Sequence, residues 1–337
     1  MSRALITGVG GFTGRHLAAL LGSHRLEVFG IARSEPSPPL PGVHLIPADL
    51  LDRVEVASIV DEIQPSYIFH LASDRGSSDV VELMRRNLGA TYHVLEAALR
   101  LPRDLGVKVL VVGSAAEYGA PSSPYRPFSE RDCARPISPY GLMKVAEVNL
   151  AYSYFATHGL ATFIARTFNL VGPGEPASLV CSAMASQIAA SEARKQDPVI
   201  GVGSLAAERD FVDVRDAVRA YWAIVVQGQP GEIYNVCTGT PVSVQTALGV
   251  LGRLASLPLA HVVEPGRSVP RSATRCIGDP ARITREIGWF PQIPFDASLV
   301  DLLEDWRRRY RDEPAPRSER VLMQPKTAIR GDALWMG

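Results

Sequence analysis

The amino-acid sequence predicts an α/β protein: a doubly wound parallel sheet joined to a smaller C-terminal α/β lobe. Over the first 167 residues, apolar runs of strand length alternate with segments whose apolar residues recur at helical spacing. One run, VKVLVVGSA, is apolar almost throughout, as is typical of strands that a parallel sheet buries on both faces. Beyond residue 168 the alternation becomes less regular, which indicates a second lobe built partly from insertions.

The first half of the chain contains the elements of this sheet in order. Strands are predicted in the runs RALIT, LEVFGIAR, VHLIPADL, YIFHLAS, VKVLVVGSA and ATFIARTFN. Helices are predicted between them in FTGRHLAALLGSH, DRVEVASIVDEI, DVVELMRRNLGATYHVLEAALRL and residues 138–157, and Pro65 ends the second helix. Because parallel strands need crossover connections, this order predicts helices on both faces of one sheet.

The second half is predicted to contain fewer strands. Helices are expected in SLVCSAMASQIAASEA and around 279–288 and 296–311, a strand then a helix in ERDFVDVRDAVRAYWAIVV, and a strand in GEIYNVCTG. We therefore predict a first domain over residues 1–167, joined by about 208–232, and a discontinuous lobe over 168–312. Residues 313–337 are rich in proline and charge, which predicts an extended or disordered tail.

Composition excludes several classes of function. The 337 residues carry a formal net charge of zero, so no nucleic-acid partner is expected. No apolar run reaches the ~18 residues that span a bilayer, and the N-terminus runs directly into the first strand without a cleavable signal. The four cysteines show no CxxC spacing and the seven histidines no HxH or HxxxH cluster. We therefore expect a cytoplasmic protein with no membrane partner and no metal site.

A glycine-rich loop, TGVGGFTG, joins the first strand to the first helix. It places Gly8, Gly11 and Gly14 at three-residue spacing, with Phe12 and Thr13 where the helix begins. Such glycines allow a sharp turn, close approach of the backbone to a pyrophosphate, and tight packing of helix on strand. A glycine turn without a ligand is the alternative. The position of the loop in the first βαβ unit favours a dinucleotide site of Rossmann type.

The end of the second strand bears on which dinucleotide binds. Sites for NAD usually carry Asp or Glu there to hold the ribose 2′-hydroxyl. The run GIARSEP places Arg33 and Ser34 at this position, and a guanidinium suits the 2′-phosphate of NADP(H). NADP(H) is therefore favoured. The alternative is that Arg33 is an ordinary solvated cation and that Glu35 serves an NAD(H) site.

A serine, a tyrosine and a lysine are placed to converge at one edge of the sheet. Tyr140 and Lys144 lie four residues apart on one helical face, and Ser114 ends the fifth strand. A free phenol has a pKa near ~10, and a nearby ammonium lowers it. The tyrosine can then exchange a proton with an oxygen that the serine holds, while a nicotinamide exchanges the hydride. The alternative for the YxxxK pair alone is a packed tyrosine and a solvated lysine.

These motifs together resemble a known family. TGxxGxxG, the serine of SAAEYG, YxxxK and the following ARTFNLVGPG are similar to the extended short-chain dehydrogenase/reductases that act on nucleotide sugars, over about residues 3–312. Within that family the sequence is most similar to the GDP-4-keto-6-deoxymannose reductases, and GDP-mannose 4,6-dehydratases are close relatives. The long helices at 79–100 and 138–157 resemble those that pair in family dimers, which implies a homodimer.

The resemblance also implies further contacts. Contacts to the cofactor are implied for Asp49 and Leu50 near the adenine, for Leu71, Ala72 and Ser73 along its length, and for Asn87 near the active site. Contacts to a sugar diphosphate are implied for Asn169, Arg209 and a second arginine, Arg275. A guanidinium gives a diphosphate paired, charge-assisted hydrogen bonds. The alternative for both arginines is surface ion pairing.

One departure from the family concerns dehydration. In the related 4,6-dehydratases, the two positions after the catalytic serine or threonine usually carry acidic or polar residues that eliminate water. Here they are Ala115 and Ala116. Glu117 lies one position later, where an extended segment would turn its side chain to the other face. We therefore expect redox chemistry at a carbonyl without dehydration.

Four functions follow, in decreasing order of support. The first is reduction of a GDP-4-keto-6-deoxy-hexose to a GDP-rhamnose type product. In this reaction NADPH gives hydride to C4 and Tyr140 gives the proton, while Lys144 holds the tyrosine and the cofactor ribose. The second is a nucleotide-sugar 4-epimerase with tightly bound NAD. A GDP-mannose 4,6-dehydratase is less favoured. A nucleotide sensor or scaffold is last, because the serine, tyrosine and lysine are all present.

Overall fold

The computed structural model describes residues 2–74, 79–121, 126–264 and 275–312. Its strands are β1 Arg3–Thr7, β2 Glu27–Ala32, β3 Val43–Pro47, β4 Tyr67–His70, β5 Lys108–Ser114, β6 Ala161–Thr167, β7 Asn169–Val171, β8 Val199–Val202, β9 Glu208–Asp213, β10 Ile233–Val236, β11 Pro241–Ser243, β12 Ala260–Val263 and β13 Arg275–Cys276. Its helices are α1 Phe12–Ser23, α2 Arg53–Ile63, α3 Val80–Arg100, α4 Pro139–His158, α5 Val180–Glu192, α6 Val214–Gln227, α7 Val244–Leu254, α8 Ala281–Ile287 and α9 Phe295–Asp312. The predicted tail over 313–337 lies outside the described residues.

A seven-stranded sheet forms the centre of the first lobe. Its strand order is β10-β6-β5-β4-β1-β2-β3, and every pair of neighbours is parallel. The predicted doubly wound fold is therefore confirmed. The chain winds outward from β1 in both directions, so a crevice forms beyond the carboxyl ends of β1 and β4, where ligands of such sheets bind.

Helices cover both faces of this sheet. Side chains alternate along β1, so Leu5 and Ile6 are both fully buried but belong to different apolar clusters. The Ile6 cluster includes Leu17 of α1 and Ile224 of α6, and the Leu5 cluster includes Val60 of α2. Helices α2, α3 and α4 pack side by side on this second face. The two long helices that bear on the active site are therefore neighbours.

The second lobe is organised around β9. Strands β7 and β13 pair with it in parallel and β11 in antiparallel, while β8 and β12 form a separate parallel pair. Helices α5, α7 and α9 pack together beside these strands. Helix α7 was not predicted, because Gly249 and Gly252 weaken its helical propensity. Five strands of this lobe were not predicted: β7, β8, β11, β12 and β13. Each is two to four residues long, which is too short to show a period of alternating side chains.

The sheet topology also bears on the domain boundaries. Strand β10 is an edge of the large sheet, and α6 packs against α1 and β6. Strand β9 instead belongs to the small sheet. We therefore propose that the segment returning to the first domain is 214–236 rather than 208–232. Among the helices of the described ranges, none combines the length and the apolar character needed to cross a membrane.

Candidate active site

A cleft of about 450 Å³ opens at the carboxyl edge of the large sheet, beside β1, β2 and β4. Among the residues predicted to bind a cofactor, those that line it are Gly8, Arg33, Asp49, Leu50, Ala72, Ser73 and Asn87. Leu71 precedes two of these residues at the end of β4, and its backbone N–H donates to the carbonyl of Thr7. The structure therefore brings the predicted residues from β1, β2, β3, β4 and α3 to one cleft.

The glycine loop presents the N-terminus of α1 at this edge. Gly11 caps α1, and Phe12 and Thr13 begin its first turn, which carries no acidic residue. A Cβ on Gly14 would overlap the carbonyl oxygen of Gly8 and the backbone of Val9, so glycine is required for the helix to pack on the loop. The backbone amides of a helix N-terminus attract anions. This cradle fits the pyrophosphate of a dinucleotide.

Asn87 holds one wall of the cleft. It is buried on α3, accepts from the backbone N–H of Asp74 at 2.7 Å and donates to the carbonyls of Asp74 at 3.0 Å and Leu83 at 2.8 Å. These bonds tie the segment after β4 to α3. Asn87 thus holds Asp74, which directly follows Ala72 and Ser73, in addition to lining the cleft itself.

Two arginines of α3 also line the cleft and were not predicted to do so. Arg85 contacts both oxygens of Glu82 at 2.7 and 2.9 Å, and Arg86 reaches Glu82 and, at 3.0 Å, Asp74. Arg33 is exposed on the opposite side, at the end of β2. The sequence feature that could have indicated these two residues is the Arg-Arg pair just before Asn87. The helical pattern alone predicts that such arginines face solvent.

Ser114 lies where β5 ends and a single 3₁₀ turn over Ala115–Glu117 begins. Its hydroxyl accepts from the backbone N–H of Ala116 at 3.2 Å, and its own N–H donates to the Glu117 carboxylate at 2.6 Å. These two bonds form a capping box that fixes the turn. The Ser114 side chain is thereby held at the carboxyl end of the sheet.

Helix α4 brings Tyr140 to this turn. Ser138 caps the helix by accepting from the N–H of Gly141 at 3.1 Å, and Pro139 occupies the first helical position. A Cβ on Gly141 would overlap the carbonyl oxygen of Ala116. The first turn of α4, which carries Tyr140, therefore packs directly on the turn that Ser114 caps.

Lys144 is buried one helical turn further on. Its Nζ donates to the carbonyl of Val112 on β5 at 3.1 Å and lies 6.0 Å from the centre of the Tyr140 ring. The carboxylate of Glu147 lies 2.8 Å from the ammonium. Although burial disfavours the charge, the adjacent Glu147 carboxylate raises the pKa of Lys144. The structure thus places Ser114, Tyr140 and Lys144 around one end of β5.

The expectation that residues 114–117 are extended is wrong, because Ser114 caps a tight turn. Glu117 is fully buried and pairs with Arg166 of β6 through Nε at 2.8 Å and Nη2 at 2.6 Å. Burial raises the pKa of the Glu117 carboxyl, although Arg166 opposes this. The Arg166 guanidinium also stacks on the Tyr118 ring at 4.5 Å. Glu117 is therefore engaged in the interior, and the positions just after Ser114 carry no acid.

The residues predicted to bind a sugar diphosphate lie on the small sheet. Asn169 donates to the carbonyl of Asp210 at 3.3 Å, and Arg209 donates to the carbonyl of Glu208 at 2.8 Å. Burial lowers the pKa of the Arg209 guanidinium. Arg275 forms an ion pair with the Glu208 side chain, which is the alternative stated for it above. Strands β7, β9 and β13 thus bring these three residues to one sheet.

Across residues 2–74, 79–121, 126–264 and 275–312, no group of three or more His, Cys, Asp or Glu side chains is arranged to hold a metal ion. The Cys133, Cys181, Cys237 and Cys276 thiols are all unpaired.

Comparisons with known proteins agree with this geometry. Residues 4–237 match the model of the NAD dependent epimerase/dehydratase family. The sequence is 31% identical to the GDP-6-deoxy-D-mannose reductase of Pseudomonas aeruginosa, over 92% of this chain and 99% of that protein. It is 27% identical to the dTDP-glucose 4,6-dehydratase of Escherichia coli, over 79% of this chain and 81% of that protein.

A solved structure shows the same fold. The structure of RMD from Pseudomonas aeruginosa complexed with NADPH matches this chain with a TM-score of 0.79 and 29% identity. The match covers 92% of this chain and 100% of that one. With its glycine loop, its serine, tyrosine and lysine, and this match over most of its length, the chain belongs to the NAD dependent epimerase/dehydratase family.

Proposed function

We propose that the protein is an NADP(H)-dependent oxidoreductase that reduces C4 of a GDP-4-keto-6-deoxy-hexose to a GDP-rhamnose type product. The observation that carries this proposal is the grouping of Ser114, Tyr140 and Lys144 beside the dinucleotide cleft. The alanines at positions 115 and 116 support reduction over dehydration, because neither can transfer a proton. The similarity to GDP-6-deoxy-D-mannose reductase supports the choice of substrate.

Each of the three side chains has a distinct role in this reaction. Ser114 donates a hydrogen bond to the C4 ketone oxygen and orients it. Tyr140 gives its phenolic proton to that oxygen as the alcohol forms, and the Lys144 ammonium stabilises the resulting phenolate. When bound, the nicotinamide supplies the hydride. The glycine cradle of α1 and the segment that Asn87 supports hold the cofactor in position.

The charges of the cleft support NADP(H) over NAD(H). Arg33, Arg85 and Arg86 all line it, and guanidinium groups suit a 2′-phosphate. Glu35 is exposed and is not among the cleft-lining residues, so the alternative in which it serves NAD(H) receives no support from the geometry. The relative solved with NADPH supports the same choice.

The substrate diphosphate is proposed to bind at the small sheet, where paired strands β7 and β9 bring Asn169 and Arg209 together. Arg209 is the proposed principal donor, because its guanidinium is partly buried on the small sheet and a guanidinium gives a diphosphate paired, charge-assisted hydrogen bonds. Asn169, two residues after β6, is the proposed second contact. We assign Arg275 to its ion pair with Glu208 rather than to the substrate.

The experiment is to mix the purified protein with GDP-4-keto-6-deoxymannose and either NADPH or NADH, and to follow nicotinamide absorbance. Stoichiometric loss of NADPH, with slower loss of NADH, is expected, and the product's C4 configuration then names it. An epimerase would instead purify with nicotinamide bound and would interconvert unreduced nucleotide sugars without added cofactor. Conversion of GDP-mannose to its 4-keto-6-deoxy form would identify a dehydratase and contradict the proposal.

We also propose that the protein is a cytoplasmic homodimer. All four cysteine thiols are unpaired, as is usual in reducing compartments. Exposed apolar side chains lie on α3 at Val80, Val81 and Tyr92, and on α4 at Leu142 and Tyr152. These adjacent helices offer the surface for a four-helix dimer interface.

A further inference from the structure

A buried ion pair lies directly behind the proposed catalytic residues. Lys144 and Glu147 occupy successive turns of α4, and the side chains are 6% and 1% exposed. Nζ lies 2.8 Å from Oε2, so the two side chains form a close, buried ion pair. The Lys144 ammonium is thus held between two protein oxygens, Glu147 Oε2 and the Val112 carbonyl.

The other oxygen of Glu147 joins a buried chain of hydrogen bonds. Thr91 Oγ1 of α3 lies 3.2 Å from Glu147 Oε1 and 3.0 Å from Nε2 of His70. His70 Nδ1 lies 2.8 Å from Thr7 Oγ1, which in turn accepts from the backbone N–H of Ala72. The chain therefore runs from Lys144 to the end of β1, where the glycine loop begins.

The protonation of His70 sets the direction of the hydrogen bonds in this chain. Burial, with the nearby Lys144 charge, lowers the pKa of His70 to about 3, so its ring carries one N–H at neutral pH. With that N–H on Nε2, His70 donates to Thr91 and Nδ1 accepts from Thr7. The Thr91 hydroxyl can then donate to Glu147, or to the Asn87 carbonyl at 2.9 Å. In this tautomer, with the Thr91 hydroxyl donating to Glu147, every donor of the chain is directed towards that carboxylate.

We propose that Glu147 is a positioning residue that fixes the Lys144 ammonium against β5 and keeps it charged, and that Thr91, His70 and Thr7 hold its carboxylate in place. A buried ammonium facing a carbonyl alone would lose its proton far more readily. The consequence for catalysis rests on the proposed function, in which a charged Lys144 stabilises the Tyr140 phenolate.

The groups that face Lys144 come from three elements. Glu147 and Tyr140 lie on α4 itself, Glu117 lies in the turn after β5, and His70 lies on β4. Glu117 is committed to Arg166 at 2.6 Å, and His70 is neutral. Glu147 makes the largest favourable contribution to the Lys144 charge, ahead of Tyr140. Removing the Glu147 carboxylate is therefore expected to lower the pKa of Lys144 more than removing any of the other groups would.

The lysine content makes a direct test feasible. The chain has four lysines, Lys108, Lys144, Lys195 and Lys326, so NMR of full-length protein labelled with ¹³Cε-lysine gives few signals. The Lys144→Arg variant assigns one of them. In the wild type we expect Lys144 to stay charged above the ordinary lysine pKa of about 10.4. In Glu147→Gln its titration should move down by roughly one pH unit or more, the scale of one close charge.

Glu192→Gln is the matched control, because it removes a carboxylate that pairs with Arg307 at 2.7 Å on the second lobe. This variant should leave the Lys144 signal unchanged. In kinetics, Glu147→Gln should move the alkaline limb of NADPH-dependent turnover to lower pH, and Glu147→Asp should restore part of the difference. A loss of packing alone would lower turnover without moving that limb.

An unmoved Lys144 signal in Glu147→Gln would overturn the proposal. If Glu147→Gln does not fold, the wild type still decides: a Lys144 signal that titrates below the ordinary lysine pKa of about 10.4 contradicts the inference. Thr91→Val, which removes a hydrogen bond to Glu147, should shift Lys144 by a smaller amount in the same direction. A shifted Lys144 in a protein that never oxidises NADPH would refute the proposed reductase and leave this inference standing.

Discussion

At the scale of single residues, the site depends on buried charges that have specified partners. Lys144 pairs with Glu147, and Glu117 pairs with Arg166, in each case with one member below 2% exposed. A buried ion pair contributes little net stability, but losing one partner is costly. The main effect of these pairs is therefore positional: Lys144 is held beside the Tyr140 ring, and Glu117 is held where it accepts from the Ser114 N–H.

The phenolic oxygen of Tyr140 is the group that the proposed mechanism cannot replace. Tyr140→Phe should lower turnover by at least ~10³-fold, because general acid catalysis at the ketone oxygen is lost. The ring still packs, so the melting temperature and the Kd for NADPH should stay near the wild-type values. Steady-state kinetics and NADPH fluorescence titration measure both. Near-normal turnover in this variant would refute the mechanism.

Glu175 is a second buried carboxyl, in the loop between β7 and α5. Within the described residues its Oε2 has no hydrogen-bond partner. Burial raises the pKa of Glu175 from 4.5 to about 8, although backbone N–H groups of Gly172 and Ser182 oppose this. The same loop reaches α1, where the His16 ring lies 2.8 Å from the Pro173 carbonyl. Ionisation of Glu175 would therefore strain a junction between the two lobes.

Because the folded protein holds this proton and the unfolded chain does not, Glu175 makes stability fall as pH rises from 4.5 to about 8. The full stability is present below that window, and each pH unit within it costs up to ~1.4 kcal/mol. Glu175→Gln cannot ionise, so it should lose less stability than the wild type between pH 5.5 and 8. Urea unfolding at both pH values measures this. The exposed Glu62→Gln serves as control, and identical pH slopes for wild type and Glu175→Gln would contradict the assignment.

At the scale of elements, the site is a contact between the first turn of α4 and the turn that follows β5. Both elements are capped by serines, Ser138 and Ser114, so their positions are fixed locally. The second lobe has a comparable device: Asp210 of β9 accepts from the backbone N–H groups of Thr238, Gly239 and Gly278. One carboxylate thereby joins three segments that are far apart in the chain.

Gly141→Ala tests the contact between α4 and the serine turn. The added methyl would overlap the Ala116 carbonyl and push the start of α4 away from Ser114. We expect a loss of stability of about 1–3 kcal/mol from overpacking. We also expect turnover to fall at least ~10-fold, because the phenol and the hydroxyl no longer converge. Thermal melts and kcat with saturating NADPH measure the two effects.

Gly252→Ala in α7 is the control, because a Cβ there meets open space. It should raise stability by up to about 1 kcal/mol and leave turnover unchanged, since alanine has the higher helical propensity. A Gly141→Ala variant that behaves like Gly252→Ala would show that the contact does not position Tyr140.

At the scale of the whole molecule, the surface of α3 and α4 is the proposed dimer interface. Tyr152 is 52% exposed on α4, and a glutamate there would place a charge in a buried apolar interface. Tyr152→Glu should therefore convert the dimer to a monomer at micromolar concentration, as measured by light scattering with size exclusion. Val262→Glu, on exposed β12 of the second lobe, should leave the mass unchanged. A wild type that is already monomeric would contradict the dimer itself.

The sequence by itself determined the fold class, the dinucleotide loop and the grouping of serine, tyrosine and lysine. These features depend on local patterns: glycine spacing after a strand, four residues along one helical face, and apolar runs that alternate with helices. Strands of one parallel sheet end at the same edge, so the position of Ser114 at the carboxyl end of β5 followed from order along the chain.

The tertiary structure alone decided which charges meet. The turn that buries Glu117 against Arg166, the pair of arginines in the cleft and the chain from Glu147 to Thr7 were not predicted, and ion pairing of Arg275 was an alternative with no named partner. Most of these contacts join residues about 50 or more positions apart, and neither residue type nor period specifies such a partner. Burial and pairing, which set the protonation of Lys144 and Glu175, exist only once the chain has folded.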